Sequence, residues 1–224
     1  QEEILQQIPG TFNFQQVSRW AARSIWSIAF SADGNYLAAA CRKPGSSNIP
    51  YGGGGRCWAR NPKWDDAALP DDSYALAFAP TGCRLAVTSN KAVAFFEDPT
   101  RPKSLEYPLT SDWSAAVAFV PGADLAVVGT NSFLDFLNPV RKEKPARLKT
   151  GLRTVLAVAV APDGKTILVG GKPGAIEVYD VASRTRTTAY DFGIGGIYAL
   201  AFAPDGLTFA AGGDKGLVVC DHSG

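Results

Sequence analysis

Apolar residues fall into short blocks in which large and small side chains alternate, and one such block returns five times. The copies occupy residues 25–34, 73–82, 114–122, 155–164 and 197–206. An anchor column runs through them: Phe30, Phe78, Phe119, Val160 and Phe202. Two positions earlier stands Ile28, Leu76, Val117, Val158 or Leu200, and one position earlier always an alanine: Ala29, Ala77, Ala118, Ala159 or Ala201. The residue three before the anchor is Ser or Ala. Successive Cβ atoms of an extended chain point to opposite faces, so this period of two predicts a strand with one large apolar face and one small face.

The anchors are separated by 48, 41, 41 and 42 residues. A period near 40–45 residues is that of a four-stranded propeller blade. The anchors are followed by Pro-Asp-Gly or a variant of it, which reverses the chain because Pro presets one turn dihedral and Gly accepts a positive φ. Second apolar strands are predicted over 36–40, 85–88, 125–129, 166–170 and 208–211. Gly-rich turns follow at 171–174 and 212–216, then third strands at 176–180 and 217–221. A more polar fourth strand at 185–190 belongs on an outer edge, where polar side chains discourage stray pairing. No useful length of chain has the 3.6-residue periodicity of an amphipathic helix. The expected fold is all-β: one propeller domain over residues 1–224 with about five four-stranded blades. The blades lie near 25–72, 73–113, 114–153, 154–195, and 196–224 completed by 11–17. The small face suits the crowded innermost strand, where blades converge on an axis.

These residues resemble the WD-repeat family. The matching pieces are the Ala-Leu-Ala-Phe-Ala-Pro-Asp-Gly strand-turn, the Gly-rich second turn, and a third strand ending in Tyr179-Asp180 or Cys220-Asp221, where the family has Trp-Asp. The family's Gly-His pair is absent from every unit and neither of these third strands ends in Trp-Asp, so the side-chain network that those residues form is not carried over. The strand-turn pattern is also similar to the repeats of bacterial surface-layer and TolB-like propellers, which suggests a divergent, bacterial member. The resemblance implies that residues 11–17 complete the last blade and close the ring. The rival expectation is an arc of a larger ring with two blades missing.

Composition narrows the function. Apolar residues make up 46% and charged residues 19% of the 224 residues, which is ordinary for a globular chain. The formal net charge of +1 argues against a nucleic-acid binder. The densest basic stretch, 141–149, reads as a solvated loop between strands. No apolar run approaches a membrane span. The chain starts at Gln1 and has no Met. A processed or trimmed product is therefore expected, with a cytoplasmic location favoured and export after removal of a leader left open.

Catalytic chemistry finds little to work with. The one histidine, His222, stands two residues from the end of the sequence, a poor place to restrain a triad or dyad. Cys41, Cys57, Cys83 and Cys220 form no C-x-x-C pair, so no metal site is expected and buried free thiols are. Cys41 and Cys57, on neighbouring strands, are the one candidate disulfide if the protein is exported. Residues 52–56, Gly-Gly-Gly-Gly-Arg, lack the phosphate-loop pattern and read as part of an insertion over 42–64 carrying Tyr51, Trp58 and Trp64. Those aromatics either contact a partner or fold back onto the blade. Asp65-Asp66, Asp71-Asp72 and Asp163 lack calcium-loop spacing and are assigned to turns and caps.

The candidate site is the set of loops leading into the first strands, which converge on one propeller face. Its members are Arg23, Trp26, Tyr74, Trp113, Arg153 and Tyr198, because aromatic and Arg residues favour protein-binding hot spots. The alternative is that these aromatics pack between blades. The expected function is a non-catalytic protein-interaction scaffold without cofactor, its partner an unidentified protein. The other readings are a propeller sensor region of a larger signalling protein, and a small-ligand-binding or hydrolytic propeller.

Overall fold

The computed structural model describes residues 25–41, 55–60, 64–70, 73–90, 92–109 and 114–221. Among them every regular element is a strand. The first blade holds β1 (Ile25–Phe30), β2 (Tyr36–Cys41), β3 (Arg56–Arg60) and β4 (Trp64–Ala68). The second holds β5 (Leu76–Phe78), β6 (Leu85–Thr88), β7 (Ala92–Phe96) and β8 (Leu105–Pro108). The third holds β9 (Ser114–Phe119), β10 (Ala126–Thr130), β11 (Phe133–Leu137) and β12 (Ala146–Lys149). The fourth holds β13 (Thr154–Val160), β14 (Thr166–Lys172), β15 (Ala175–Asp180) and β16 (Arg186–Asp191). The fifth shows β17 (Ile197–Phe202), β18 (Thr208–Gly213) and β19 (Gly216–Asp221).

All five sheets are antiparallel meanders in chain order. The turn after each anchor residue is closed by a glycine in the left-handed region, as at Gly206 with φ +73°. The innermost strands pack side by side in sequence order: β1 by β5, β5 by β9, β9 by β13, and β13 by β17. The molecule is therefore all-β, with five blades in a propeller arrangement. The strand expected at 11–17, and the ring closure it implies, lie outside the described residues.

The cores sit between blades, and the two-faced strands explain why. Val117 and Phe119 from the large face of β9 pack on Ala86, Phe95 and Ala75 of the second blade. Val155, Ile167 and Val169 of the fourth blade meet Val127, Leu134 and Phe136 of the third. Leu200, Phe202 and Phe209 of the fifth meet Ala159, Leu168 and Val178 of the fourth. Leu76, Phe78 and Leu85 of the second meet Ala29, Ala38 and Cys57 of the first. In each case the large row of one blade lies against a face of the preceding blade that is small along its innermost strand. Close approach needs glycine at β10 and β14. A Cβ on Gly129 would lie 2.4 Å from a Val155 methyl carbon, and one on Gly170 would lie 2.5 Å from Ile197.

Two faces escape this scheme. On the outward face of the first blade, Ile28 is 66% exposed, while Leu37, Ala39 and Trp58 form a small cluster beside it. On the far face of the fifth blade, Leu217 and Val219 are 68% and 67% exposed.

Several expectations change in the first blade. The insertion over 42–64 is interrupted by β3, which pairs with β2 through Leu37 and Trp58 and through Ala38 and Cys57. Trp58 folds back onto the blade; Tyr51 lies outside the described residues. Asp65 and Asp66 stand in edge strand β4 opposite Ala59 and Trp58, not in a turn. Asp163 does cap a turn, accepting the Lys165 N–H at 2.9 Å, and Asp71-Asp72 lie outside the described residues. All four cysteines are free, with Cys41 and Cys57 buried and Cys83 and Cys220 half-buried. The register sets Cys57 opposite Ala38, three residues from Cys41, so the candidate disulfide is not formed. Burial pushes the Cys57 thiol up to about 12.

Candidate functional site

The described residues leading into β5, β13 and β17 share one end of the blades with the described turns joining second to third strands in the second, fourth and fifth blades. Antiparallel alternation places them there: the chain leaves an innermost strand at the opposite end and returns along the second. Four of the six predicted site residues fall on this end within the described region, and they gather into two groups.

The first group lies on the first two blades. The rings of Trp26 and Tyr74 meet edge to face, with centroids 6.2 Å apart and planes at 74°. Offset or edge-on contact is the favoured aromatic geometry, because ring edges are positive and faces negative. Trp26 remains 52% exposed, and Tyr74 is half-buried. The Tyr74 hydroxyl donates to the Asn90 side-chain oxygen in the turn after β6, and its backbone N–H donates to the Thr88 carbonyl. One ring is thus anchored and supports the other.

The second group lies on the fourth and fifth blades. The Arg153 N–H donates to the Lys172 carbonyl at 2.8 Å, which brings an exposed arginine beside an exposed lysine. Asp214, in the turn after β18, accepts the Gly196 N–H at 2.7 Å. That bond first, then one from the Tyr198 hydroxyl and the nearby charges of Lys172 and Lys215, hold its carboxyl below the usual carboxylate range. Tyr198 itself is 49% exposed. The result is an exposed tyrosine bonded to an ionised carboxylate that Lys172 and Lys215 flank.

Arg153 owes its position to a buried acid that sequence reading passed over. Glu177 on β15 accepts bonds from the Gly151 N–H at 3.1 Å, the Tyr179 hydroxyl at 2.7 Å and Arg186 at 2.7 Å. With each buried oxygen satisfied, the carboxylate pins the loop immediately before Arg153. Burial, then the bond to Glu177, raises the Tyr179 hydroxyl far above its ordinary value, so it stays a donor. The third blade has a counterpart: Asp135 on β11 binds Arg147 on β12 through both oxygens, at 2.6 and 2.7 Å. An acid on a third strand followed by an arginine on the fourth is the signal that would have found both pairs.

Arg23 and Trp113 lie outside the described residues, as does His222. The structure joins Trp26 to Tyr74, Tyr198 to Asp214, and the Arg153 backbone to that of Lys172. Lys172, Asp214, Lys215 and Asn90 complete these groups and were missed, because residues at strand ends and turns acquire a face only once strand order is known. Among the described residues no group of three His, Cys, Asp or Glu side chains could hold a metal ion, and no helix is long and apolar enough to cross a membrane.

A family model described as WD domain, G-beta repeat matches residues 14–44 and 189–221. The second match covers the whole described fifth blade, and the first takes in β1 and β2. The chain is a β-propeller with WD repeats at these two segments. Its WD-repeat character lies in the strand-turn pattern and the blade, since no described third strand ends in Trp-Asp and the Trp64-Asp65 pair opens the edge strand β4. No curated protein matches the chain significantly.

Proposed function

We propose that this WD-repeat propeller is a non-catalytic scaffold that binds a protein partner through the end carrying Trp26, Tyr74, Arg153 and Tyr198. The observation that carries the reading is the half-exposed Trp26 ring standing on an anchored Tyr74. Such aromatics bury large area at little rotamer cost and are the residues that dominate binding energy at interfaces. The cations around Tyr198 add a charged rim of the kind that sets orientation and association rate. The fold supports the same reading, because rigid blades hold the loops while the loops themselves remain free to vary.

The test is affinity purification from the native host with the wild-type chain and with Trp26→Ala and Tyr74→Ala, each checked for unchanged melting. A partner retained by wild type and lost by both variants is the expected result. Retention by both variants removes this end of the propeller as the binding surface.

A further inference from the structure

A groove of about 390 Å³ lies on the side of the propeller, between the outer parts of the second and third blades. It is remote in kind from the loop surface described above, being built from outer strands and the turn between β11 and β12. Tyr107, Pro108, Leu109, Leu137 and Pro145 give it an apolar lining. Both walls carry edge strands, β8 on one side and β12 on the other.

The groove is held open by a buried tyrosine. Tyr107 is 3% exposed, and its hydroxyl bonds the Arg141 carbonyl at 2.7 Å while accepting the Glu143 N–H at 3.0 Å. The Asn138 side chain closes the same turn, accepting the N–H groups of Val140 and Arg141 at 2.9 and 3.1 Å. The second blade thereby fixes a loop of the third, and a site so fixed loses little entropy when it is filled.

Charge decides what fits. Five charged side chains line the groove: Asp135, Lys142, Glu143, Lys144 and Arg147. Arg147 is neutralised by Asp135, and Glu143 by Arg141 at 2.6 Å. Lys142 and Lys144 have no carboxylate within salt-bridge distance among the described residues. Two uncompensated cations therefore flank an apolar slot.

We propose that this groove binds an extended acidic peptide, with an apolar side chain in the slot and carboxylates on Lys142 and Lys144. An extended segment suits a narrow groove that runs between the outer strands of two blades, β8 and β12. The basic stretch at 141–149 is then a recognition rim.

The experiment is fluorescence anisotropy on the full chain with a labelled eight-residue peptide of glutamates around one central leucine. Two controls replace the glutamates by lysines or the leucine by glycine. Saturable binding is expected, at least tenfold tighter than for either control and weakened by added salt. The double variant Lys142→Glu/Lys144→Glu changes only exposed side chains and is expected to weaken binding at least tenfold, with melting unchanged. Trp26→Ala is expected to leave this affinity unaltered, which separates the groove from the loop surface. Absence of binding, equal affinity for the lysine peptide, or indifference to the double variant overturns the proposal. The last outcome would assign the peptide to exposed apolar surface elsewhere on the blades.

Discussion

Val117 and Ile28 stand at the same place in their blades, two residues before the anchor and on the large face of the innermost strand. Val117 is 8% exposed and Ile28 is 66% exposed. The difference has nothing to do with their own strands, which share the same alternation and pair with equally apolar second strands. It comes from the neighbour. β9 lies against the second blade, whereas the large face of β1 is left open. The fifth blade repeats the contrast on its other side. Gly129 and Gly170 are crowded by side chains of the following blade, but a Cβ on the equivalent Gly212 would meet only Ala199, at 3.7 Å. Identical repeats therefore do not have identical energetics, because each blade's stability is partly that of its interfaces.

The largest expected effect comes from placing a charge on each of the two faces. Val117→Asp buries a carboxylate without a partner, and a loss of at least about 4 kcal/mol is expected, enough to unfold a marginal domain. Ile28→Asp is expected to stay within about 0.5 kcal/mol of wild type, as surface substitutions do. Urea unfolding of the two variants checks the pair. A large loss for Ile28→Asp would show that the face of β1 is covered in solution.

A methyl group sharpens the comparison. Gly170→Ala drives a Cβ into Ile197 and is expected to cost about 1–3 kcal/mol, the range for overpacking a core. Gly212→Ala has room, and replacing a strand glycine there is expected to be neutral or stabilising by a few tenths of a kcal/mol. Differential scanning calorimetry of both variants reads the contrast. Equal losses would mean that the far face of the fifth blade is packed as tightly as that of the fourth.

Thiol reactivity gives the smallest effect, one of rate. Cys57 lies in the interface between the first and second blades, and burial keeps it protonated to about 12. Its folded-state value is raised from 9.0, so it binds its proton more tightly folded than unfolded. Its contribution to stability is complete below about pH 9 and is lost as pH rises toward 12. Alkylation at pH 8 followed by mass mapping is expected to label Cys83 and Cys220 first, with Cys41 and Cys57 protected until unfolding. Early labelling of Cys57 would show that the interface opens readily.

Much of the fold was legible because its cause is local. Ala77 and Phe78 must point to opposite faces of any strand, and Thr-Gly at 81–82 must turn the chain whatever surrounds it. The first blade was harder to read. Arg56–Arg60 follows a glycine run and carries no aromatic-Asp ending, so only its pairing with β2 identifies it as a strand. Site residues divide the same way. Trp26, Tyr74, Arg153 and Tyr198 were found by counting back from the anchor, but Lys172 and Asp214 lie far from them in sequence.

By itself the sequence determined the period, the alternation within each strand and the turns between strands, all set by backbone stereochemistry over a few residues. Which of these equivalent faces is buried was decided only by tertiary structure. So were the bonds of Glu177 to the loop before Arg153 and of Tyr107 to the turn after β11. The physical reason is that burial and hydrogen-bond satisfaction belong to pairs of blades, and no single repeat encodes what will stand beside it.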